Sequence, residues 1–540
     1  MVINTIFRNK LPALLLAIIF AMPAFMANAQ EEVLENQKKF ARLLRLIDGY
    51  YVDTANVEKL TENAIIHMLS ELDPHSTYIS KEEVRKMNEP LKGNFEGIGI
   101  SFNIFKDTLL VTTTIPGGPS EEVGLRAGDR IIEVDGKDIA GTGLKNSDVF
   151  DLLRGEKGTK VELKVLRKSI DNTLDFTIIR DKIPIYSLDA SYMLDEETGY
   201  IKLNKFSATT TDEFVEAMNE LKLKDVKNLV LDLRGNGGGY LKTAIEISDQ
   251  FLKNDKMIVY TDGTNEPRRE YDATSKGVFE EGNLVVLVNE SSASASEIVS
   301  GSVQDWDRGV IIGRRSFGKG LVQKPYFLTD GSMVRLTTAH YYTPSGRCIQ
   351  KPYEEGVDDY RMDIRNRITK GEMFSADSIQ FADSLKYKTL LNKRTVFGGG
   401  GVMPDIFIPM DTSSHYEYYN RLSRNRIIMD YALEYVDSHR EDFKNKYADF
   451  EDFKRNFEVT EEMITQIVEK GDKSGIEKDE ESQEFNKSNM VRDIKAIIAR
   501  NTFTLNDYFK IINEDDEAVQ KALNVIENQN EYNNLLVTTD

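Results

Sequence analysis

Short apolar runs alternate with amphipathic stretches between residues 183 and 409, and this alternation restricts the fold more than any other feature of the sequence. Between the runs, apolar residues such as Phe214, Met218 and Leu221 recur at helical spacing. The runs are rich in residues that favour strands and comprise Asn228 to Leu233, Met257 to Tyr260, Leu284 to Val288 and Val310 to Gly313. Because strands that alternate with helices form layered folds, the sequence predicts an α/β core with a mostly parallel sheet.

The regions that flank this core, residues 183–409, differ from it in pattern. Residues 30–92 and 410–540 have apolar residues at helical spacing, whereas residues 93–182 contain strand-like runs and many glycines. Residues 351–397 are charged and irregular, so we interpret them as an insertion in the core. We therefore predict a multidomain α/β protein with helical regions at both ends, the second of them a separate domain.

The first 29 residues have the pattern of a secretory signal. Arg8 and Lys10 precede the apolar stretch from Leu11 to Phe25, and Ala27-Asn28-Ala29 fits a cleavage site. An uncleaved membrane anchor is the alternative, although the apolar run is shorter than the ~20 residues that span a bilayer. The sequence thus predicts a periplasmic or otherwise extracytoplasmic protein.

Composition argues against several classes of function. The formal net charge of −20 would repel the phosphates of nucleic acids and the surface of anionic membranes. The only cysteine is Cys348, so no intrachain disulfide can form. Neither an HExxH motif nor a paired Cys/His spacing occurs, so the sequence indicates neither a metal nor another cofactor.

A serine-rich turn follows the apolar run Leu284 to Val288. Its sequence is Ser291-Ser292-Ala293-Ser294-Ala295-Ser296-Glu297. A strand that leads through small residues into a helix presents a hydroxyl well, and the Ala295 N–H would lie in the first helical turn, where it can hold an oxyanion. The alternative is that Ser294 only caps the helix.

A lysine that could activate this serine lies 25 positions later, in Phe317-Gly318-Lys319-Gly320. An amine accepts the serine proton only when it is neutral, so Lys319 needs a dry pocket, and Gln323 could hold it by a hydrogen bond. The spacing from Gly313 to Lys319 also fits a P-loop, but Gly320 stands where a magnesium-binding hydroxyl is required. An ordinary surface lysine is the other alternative.

A glycine-rich loop, Asp232 to Gly239, follows another predicted strand. Its glycines let backbone N–H groups approach a reacting carbonyl closely, and we choose Gly238 as a second oxyanion donor. A phosphate cradle is the alternative, but the loop matches neither the dinucleotide fingerprint nor a P-loop.

Histidine is the rival base. Of the five histidines, His67, His75, His340, His415 and His439, only His340 lies within the α/β region. It could belong to a Ser-His pair or be a packed strand residue, and no Gly-x-Ser-x-Gly elbow surrounds Ser294.

In combination, these motifs resemble those of the carboxyl-terminal processing peptidases, also called tail-specific proteases. The resemblance covers roughly residues 35–409 and is carried in order by Leu72-Asp73-Pro74-His75-Ser76, Asp232-Leu233-Arg234 with Asn236, Gly238 and Gly239, Ser292 to Glu297, Gly318-Lys319-Gly320 with Gln323, Tyr342-Thr343-Pro344-Ser345-Gly346-Arg347, and Pro404-Asp405-Ile406.

The resemblance implies roles for five of the site residues. Ser294 would be the nucleophile, Lys319 the general base and Gln323 the residue that positions Lys319, with oxyanion donors at Gly238 and Ala295. An aspartate at the position of Asp305 counts as support in some members; its alternative is a structural carboxylate at a helix end.

The resemblance also implies that residues 93–182 are an inserted PDZ domain. The stretch Gly97-Ile98-Gly99-Ile100 would then bind the carboxylate of a protein or peptide substrate with a free, apolar C-terminus. The helical region 410–540, absent from shorter members, would regulate access or bind a partner.

These implications lead to one main hypothesis and two alternatives. The main hypothesis is a secreted serine endopeptidase that cleaves near protein C-termini through an acyl-enzyme. A catalytically silent, PDZ-bearing adaptor is the first alternative, and a non-peptide amidase or esterase is the second.

Overall fold

The structure is a computed structural model that describes residues 11–168, 170, 172–410 and 416–537. Its contacts divide the chain into two compact units, one that ends at Tyr78 and one that begins at Ile79. The first ten residues of the predicted signal, and His415, lie outside the described residues, so the signal stays a prediction.

Two helices and a turn form the first unit. The helices are α1 (Leu11–Tyr50) and α2 (Val57–Ser70), and a short strand, β1 (Thr77–Ile79), follows the turn. Asp73 closes the turn, because its Oδ1 accepts the N–H groups of His75 and Ser76, each at 2.8 Å. Among the described residues, no helix combines the length and the apolar character that a membrane span requires.

The second unit begins with a small antiparallel subdomain in the region predicted to be a PDZ domain. Its elements, in chain order, are α3 (Lys81–Lys92), β2 (Asn94–Gly97), β3 (Ile100–Phe105), β4 (Thr108–Thr114), α4 (Pro119–Glu122), β5 (Arg130–Val134), β6 (Lys137–Asp138), α5 (Asn146–Leu153), β7 (Lys160–Leu166), β8 (Leu174–Ile179) and β9 (Asp181–Pro184). The sheet has the strand order β3-β4-β5-β7-β8, with β6 on β5. A separate two-stranded ribbon of β2 and β9 forms its neck.

The α/β core follows. Its elements are β10 (Leu188–Met193), β11 (Thr198–Leu203), α6 (Thr210–Lys222), β12 (Asn228–Asp232), α7 (Leu241–Asp249), β13 (Met257–Gly263), β14 (Glu266–Asp272), β15 (Leu284–Val288), α8 (Ala295–Asp305), β16 (Val310–Gly313), β17 (Leu321–Phe327), β18 (Met333–Tyr342), α9 (Val357–Thr369), β19 (Lys386–Lys388), β20 (Thr395–Phe397) and β21 (Ile406–Phe407), with 3₁₀ turns at Ala376–Ser378 and Asp383–Leu385.

The central sheet of this core is mostly parallel, as predicted. Its order is β10-β11-β12-β15-β16-β21, and only β10 and β11 run antiparallel. Every residue of β15 is buried, because successive side chains alternate between two covered faces. Val286 packs towards α6, α7 and α8, whereas Val285 and Leu287 face the opposite layer. Strands β17, β18, β13 and β14 form a second sheet that is antiparallel.

The insertion is more regular than its sequence pattern suggested. Helix α9, both 3₁₀ turns, β19 and β20 lie within residues 351–397. The charged composition hid this order, because two of the residues that α9 buries are Tyr360 and the cationic Arg367.

Nine helices make up the C-terminal region in the part of the chain that the structure describes. They are α10 (Glu417–Arg424), α11 (Ile427–Lys446), α12 (Phe450–Asn456), α13 (Glu461–Lys473), α14 (Glu480–Phe485), α15 (Lys487–Thr502), α16 (Leu505–Ile512), α17 (Glu517–Glu527) and α18 (Gln529–Leu535). Helices α10 to α13, α15 and α16 share an aromatic-rich core around Phe443, Phe453 and Ile494.

The last two helices do not belong to that core. Val519, Ala522 and Val525 of α17 pack against the second face of the central sheet, and the Tyr532 hydroxyl of α18 accepts the Leu284 N–H at 2.9 Å. The sequence predicted that residues 410–540 form a separate domain. In the structure, the last two helices of this region pack against the α/β core instead. Their amphipathic pattern specified a buried face but not its partner.

The antiparallel subdomain also contacts α11. Lys106 pairs with Glu434 at 2.9 Å and Arg130 with Asp437 at 2.7 Å. Lys106 is exposed, and an exposed ion pair contributes roughly 0–1 kcal/mol, whereas Arg130 and Asp437 are partly buried. The subdomain is attached covalently through the β2–β9 ribbon, and these two ion pairs hold its far side.

Candidate active site

Three loops that carry predicted site residues leave the same edge of the central sheet. We call residues 233–239 the glycine loop, residues 289–294 the nucleophile turn and residues 314–320 the base loop. They follow β12, β15 and β16, which are neighbouring parallel strands. Because parallel strands end at one edge, the fold brings the three loops together, where ligand sites of open α/β sheets occur.

Ser294 has an unusual backbone conformation. Its φ is +56° and its ψ is −109°, at the N-cap of α8. A residue other than glycine pays about 1–3 kcal/mol to adopt such a backbone conformation, so surrounding contacts must hold Ser294 there. One contact is made by Ser292, whose Oγ donates to the Leu233 carbonyl of the glycine loop at 2.8 Å. Ser294 itself is only partly buried.

The buried carboxylate of Glu297 links the nucleophile turn to the base loop. Its Oε2 accepts the Ser294 N–H at 2.8 Å and the Lys319 N–H at 2.9 Å. Its Oε1 accepts the Ser316 hydroxyl at 2.5 Å and the Gly318 N–H at 2.6 Å. Burial raises the pKa of Glu297 and outweighs the lowering effect of these four donors. One oxygen atom thus ties the backbones of Ser294 and Lys319 together.

Tyr341 provides a second bridge between the same two residues. Its hydroxyl oxygen lies 2.5 Å from the Lys319 carbonyl oxygen and 3.0 Å from the Ser294 carbonyl oxygen. Burial raises the pKa of Tyr341 well above its usual value, so the hydroxyl keeps the proton that it donates. The nucleophile turn and the base loop are therefore joined at their N–H groups and at their carbonyl groups.

The structure places Lys319 beside Gln323, as the sequence suggested. The Lys319 Nζ donates to the Gln323 Oε1 at 3.0 Å, and both residues are partly buried. Gln323 lies on β17 opposite Thr337 of β18, so a sheet residue orients the amine. The preceding Phe317 N–H donates to the Ser292 carbonyl at 3.0 Å, which adds a direct bond between base loop and nucleophile turn.

Gly238 lies directly against the nucleophile turn. A Cβ atom built on it would be 2.9 Å from the Ser294 Cβ and 3.0 Å from the Ala295 backbone nitrogen, and its φ is +100°. The Gly238 N–H, which was predicted to be an oxyanion donor, donates to the Asn236 Oδ1 at 2.9 Å. An oxyanion at this position would therefore have to displace the Asn236 side chain. The Ala295 N–H lies at the first position of α8.

A buried charge network anchors the start of the glycine loop. Arg234 donates to both carboxylate oxygens of Asp232 at 2.7 to 3.1 Å. Its Nη1 donates to both oxygens of Asp516, each at 2.9 Å. Burial alone would raise the pKa of Asp232, but Arg234 and Lys202 hold it well below its usual range. The loop is thus fixed between the sheet and the residue that caps α17.

Two other residues considered for the site have different surroundings. Asp305 is buried, pairs with Arg347 at 2.8 Å and accepts the Ser345 N–H at 2.9 Å. The His340 Nδ1 lies 4.0 Å from the Cys348 Sγ. Among the described residues, no three His, Cys, Asp or Glu side chains converge as a metal site.

The predicted carboxylate-binding stretch lies between the ribbon and β3. Gly99 has a φ of +77°, and the Ile98 carbonyl accepts the N–H and the hydroxyl of Ser120 at 3.1 and 2.6 Å. Beyond it, Phe102 of β3 meets Phe150 of α5 edge to face, with ring centres 5.6 Å apart. The edge strand and the helix therefore flank an apolar surface next to the loop.

Sequence reasoning assigned no role to Glu297, Tyr341 or Asn236. Glu297 had a readable signal, because Ser294 and Glu297 have the spacing of a capping box. The other two act through contacts between distant segments. For example, the Asn236 carbonyl accepts the Ala293 N–H at 3.0 Å.

Comparisons with known proteins identify families whose models match this chain. The model of peptidase family S41 matches residues 197–359, a PDZ domain model matches residues 110–167, and a family of unknown function matches residues 418–504.

Two curated relatives and one solved structure are similar to this chain in sequence. The carboxy-terminal-processing protease of Bartonella bacilliformis is 36% identical over 338 residues, which are 62% of this chain and 77% of the relative. Carboxy-terminal processing protease CtpB of Bacillus subtilis is 33% identical over 371 residues, or 68% of this chain and 74% of the relative. The solved photosystem II D1 C-terminal processing protease is 31% identical, with a TM-score of 0.34 over 58% of this chain and 90% of that one.

Alanine at position 238 should disable the site. We expect Gly238→Ala to slow covalent labelling of Ser294 by an acylating probe at least 100-fold, because the new methyl group would collide with the nucleophile turn. Gly237→Ala is the matched control, since a Cβ there meets nothing within 4 Å. Labelling rates can be measured by mass spectrometry, and equal rates for the two variants would contradict the described packing.

Removal of the negative charge of Glu297 should loosen both loops. We expect Glu297→Gln to lower the free energy of unfolding by about 1–3 kcal/mol for each donor left unpaired, because the amide NH₂ would face N–H or O–H groups. Denaturant titration measures this loss, with the exposed Glu355→Gln as control. A variant as stable as the control would show that the carboxylate does not bridge the loops.

Proposed function

Because this chain belongs to peptidase family S41 and is a serine-type carboxy-terminal processing protease with a PDZ domain, we propose that Ser294 and Lys319 form its catalytic dyad. The observation that carries the proposal is the pair of bonds to the Glu297 Oε2 from the N–H groups of Ser294 and Lys319. These bonds hold nucleophile and base in a fixed relation before substrate binds, which is what positioning contributes to catalysis.

The proposed reaction proceeds through an acyl-enzyme. The Lys319 amine takes the proton of the Ser294 hydroxyl as the oxygen attacks the peptide carbonyl carbon. The C–N bond then breaks, and Lys319 returns the proton to the departing amine. Water then attacks the ester and gives a proton to Lys319, the bond between the acyl carbon and the Ser294 oxygen breaks, Lys319 returns the proton to that oxygen, and the carboxylic acid product leaves. Gln323, which accepts from the Lys319 Nζ, keeps the amine aimed at the reacting atoms.

The oxyanion is proposed to bind at the N–H groups of Ala295 and Gly238. The first-turn N–H of a helix has no partner within the helix and favours negative charge. The Gly238 N–H exchanges the Asn236 Oδ1 for the oxyanion as the substrate carbonyl enters. The close approach of Gly238 to Ser294 and Ala295 supports this role.

The PDZ domain is proposed to select substrates by their C-termini. The substrate would extend along the edge strand β3, with its carboxylate at the N–H groups of Gly97, Ile98, Gly99 and Ile100 and its last side chain near Phe102 and Phe150. Because ion pairs and not a shared apolar core join the domain to α11, the domain would be able to move as it delivers the tail to Ser294.

Location and partners complete the proposal. Residues 1–29 would direct export and then be removed, which places the enzyme in an extracytoplasmic compartment. The helical region after residue 410 would regulate access or bind an adaptor. No cofactor takes part in the proposed chemistry.

Replacement of the two candidate bases should separate a lysine mechanism from a histidine mechanism. We expect Lys319→Ala to lower kcat on a peptide with a free apolar C-terminus at least 1,000-fold, and His340→Ala to change kcat less than fivefold, because His340 faces Cys348. An active lysine variant beside a dead histidine variant would refute the dyad.

A free substrate carboxylate should accelerate cleavage. We expect a peptide with a C-terminal amide to have a kcat/KM about 10–100-fold lower than the same peptide with a free carboxylate, because charge-assisted bonds to the loop are lost. Competition between the two peptides in one reaction measures the ratio. Equal rates would favour an internal-site or non-peptide hydrolase.

A further inference from the structure

The insertion, residues 351–397, contacts residues 315–318 of the base loop. Helix α9 lies within the insertion and contributes Arg367, which is 3% exposed. The Lys351 N–H, where the insertion begins, donates to the Gly318 carbonyl at 2.9 Å. The insertion thus brings two buried cations next to the loop that carries Lys319.

The Arg367 guanidinium binds three successive carbonyl groups of the base loop. Its Nη1 donates to the Ser316 carbonyl at 2.8 Å and to the Arg315 carbonyl at 3.4 Å, and its Nη2 donates to the Phe317 carbonyl at 3.1 Å. Hydrogen bonds from a charged donor are the strong ones, and the planar fork of arginine fixes direction as well as distance. The ammonium group of a lysine would lack this geometry.

Asp363 holds both cations of the insertion in place. Its Oδ2 lies 3.0 Å from the Arg367 Nε and 2.9 Å from the Lys351 Nζ. The Lys351 Nζ also lies 4.0 Å from the centre of the Phe317 ring and 4.1 Å from the centre of the Tyr360 ring, both within cation–π range. The insertion therefore supports the base loop through side chains that are themselves fixed.

The base loop lies between this cation and a buried anion. Arg367 takes its carbonyl groups, whereas Glu297 takes the N–H groups of Gly318 and Lys319. If the peptide group between Phe317 and Gly318 rotated, its carbonyl would turn towards a carboxylate and its N–H towards a guanidinium. Both contacts would be repulsive, so the two charges together select one loop conformation.

We propose that the insertion is a positioning element for the general base and that Arg367 is its key residue. The inference rests on the proposed role of Lys319, because Arg367 acts on the reaction only through the conformation of the base loop. Arg367 is a positioning residue and touches no reacting atom.

The test combines kinetics with hydrogen–deuterium exchange of the full-length enzyme. We expect Arg367→Met to lower kcat about 10–100-fold with KM within twofold, because a displaced base slows chemistry and not binding. Exchange at residues 316–320 should rise at least tenfold in the same variant. The kcat and the loop exchange of Arg367→Lys should lie between those of Arg367→Met and the wild type. Arg365 is exposed on the same helix, and Arg365→Met should have wild-type values for both.

Two outcomes would overturn the proposal. One is a kcat within twofold of the wild type for Arg367→Met, and the other is a reduced kcat with unchanged exchange in the base loop. If Arg367→Met does not fold, Asp363→Asn replaces it, since Asp363 is partly exposed and orients the same guanidinium. We expect this variant to lower kcat three- to tenfold with faster loop exchange, and wild-type values for both would overturn the proposal.

The same variants separate failure of this inference from failure of the dyad. In a Lys319→Ala background, Arg367→Met should have no further effect on the residual hydrolysis of an activated ester, because residues that act as one unit are not additive. A further tenfold loss in that background would overturn a role through Lys319. An active Lys319→Ala enzyme would refute the dyad, while loop exchange would still report whether Arg367 holds the base loop.

Discussion

One buried carboxylate holds the nucleophile turn and the base loop of this protein together. Of the four donors of Glu297, one comes from the nucleophile turn and three come from the base loop. An isolated buried anion is costly, and the cost falls only when donors surround it. The loops must therefore assemble together, because each supplies part of the solvation that the carboxylate needs. The strained backbone of Ser294 is held by the same arrangement.

The parallel sheet decides where this assembly occurs. The strands β12, β15 and β16 are neighbours with one direction, so the glycine loop, the nucleophile turn and the base loop all begin at one edge. The antiparallel second sheet supplies the residues that complete the site, Gln323 from β17 and Tyr341 from β18. The parallel sheet thus sets the spacing of the three loops, and the antiparallel sheet supplies side chains that orient the residues on them.

Part of the fold and part of the candidate site could be predicted from the sequence, for reasons that differ between residues. The run Leu284 to Val288 predicted a buried strand because a strand covered on both faces is apolar throughout. The order of the motifs indicated Ser294, Lys319 and Gln323, since each motif is local in the chain. Two other features could not be predicted from the sequence. The bond from Gly238 to Asn236 depends on the direction of a side chain. The bonds from Arg367 to the base loop join segments about 50 residues apart.

The helical regions show the same limit at a larger scale. Helical spacing after residue 410 predicted helices with one apolar face, and the structure has them. It did not predict that Val519 and Val525 would cover the central sheet while Phe453 joins another core. Periodicity reports that a face is buried, and only the folded chain determines what buries it.

The ribbon at the neck of the PDZ domain has an architectural consequence. Asn94 pairs with Pro184 and Gly97 with Asp181, so the chain enters and leaves the domain through adjacent strands. Strand partners lie about 5 Å apart, and a tight hairpin of a few residues could join them. The catalytic core therefore needs nothing from the domain to close its own topology. A peptide-binding domain of different specificity could therefore be inserted at this neck without a change in the fold of the protease core.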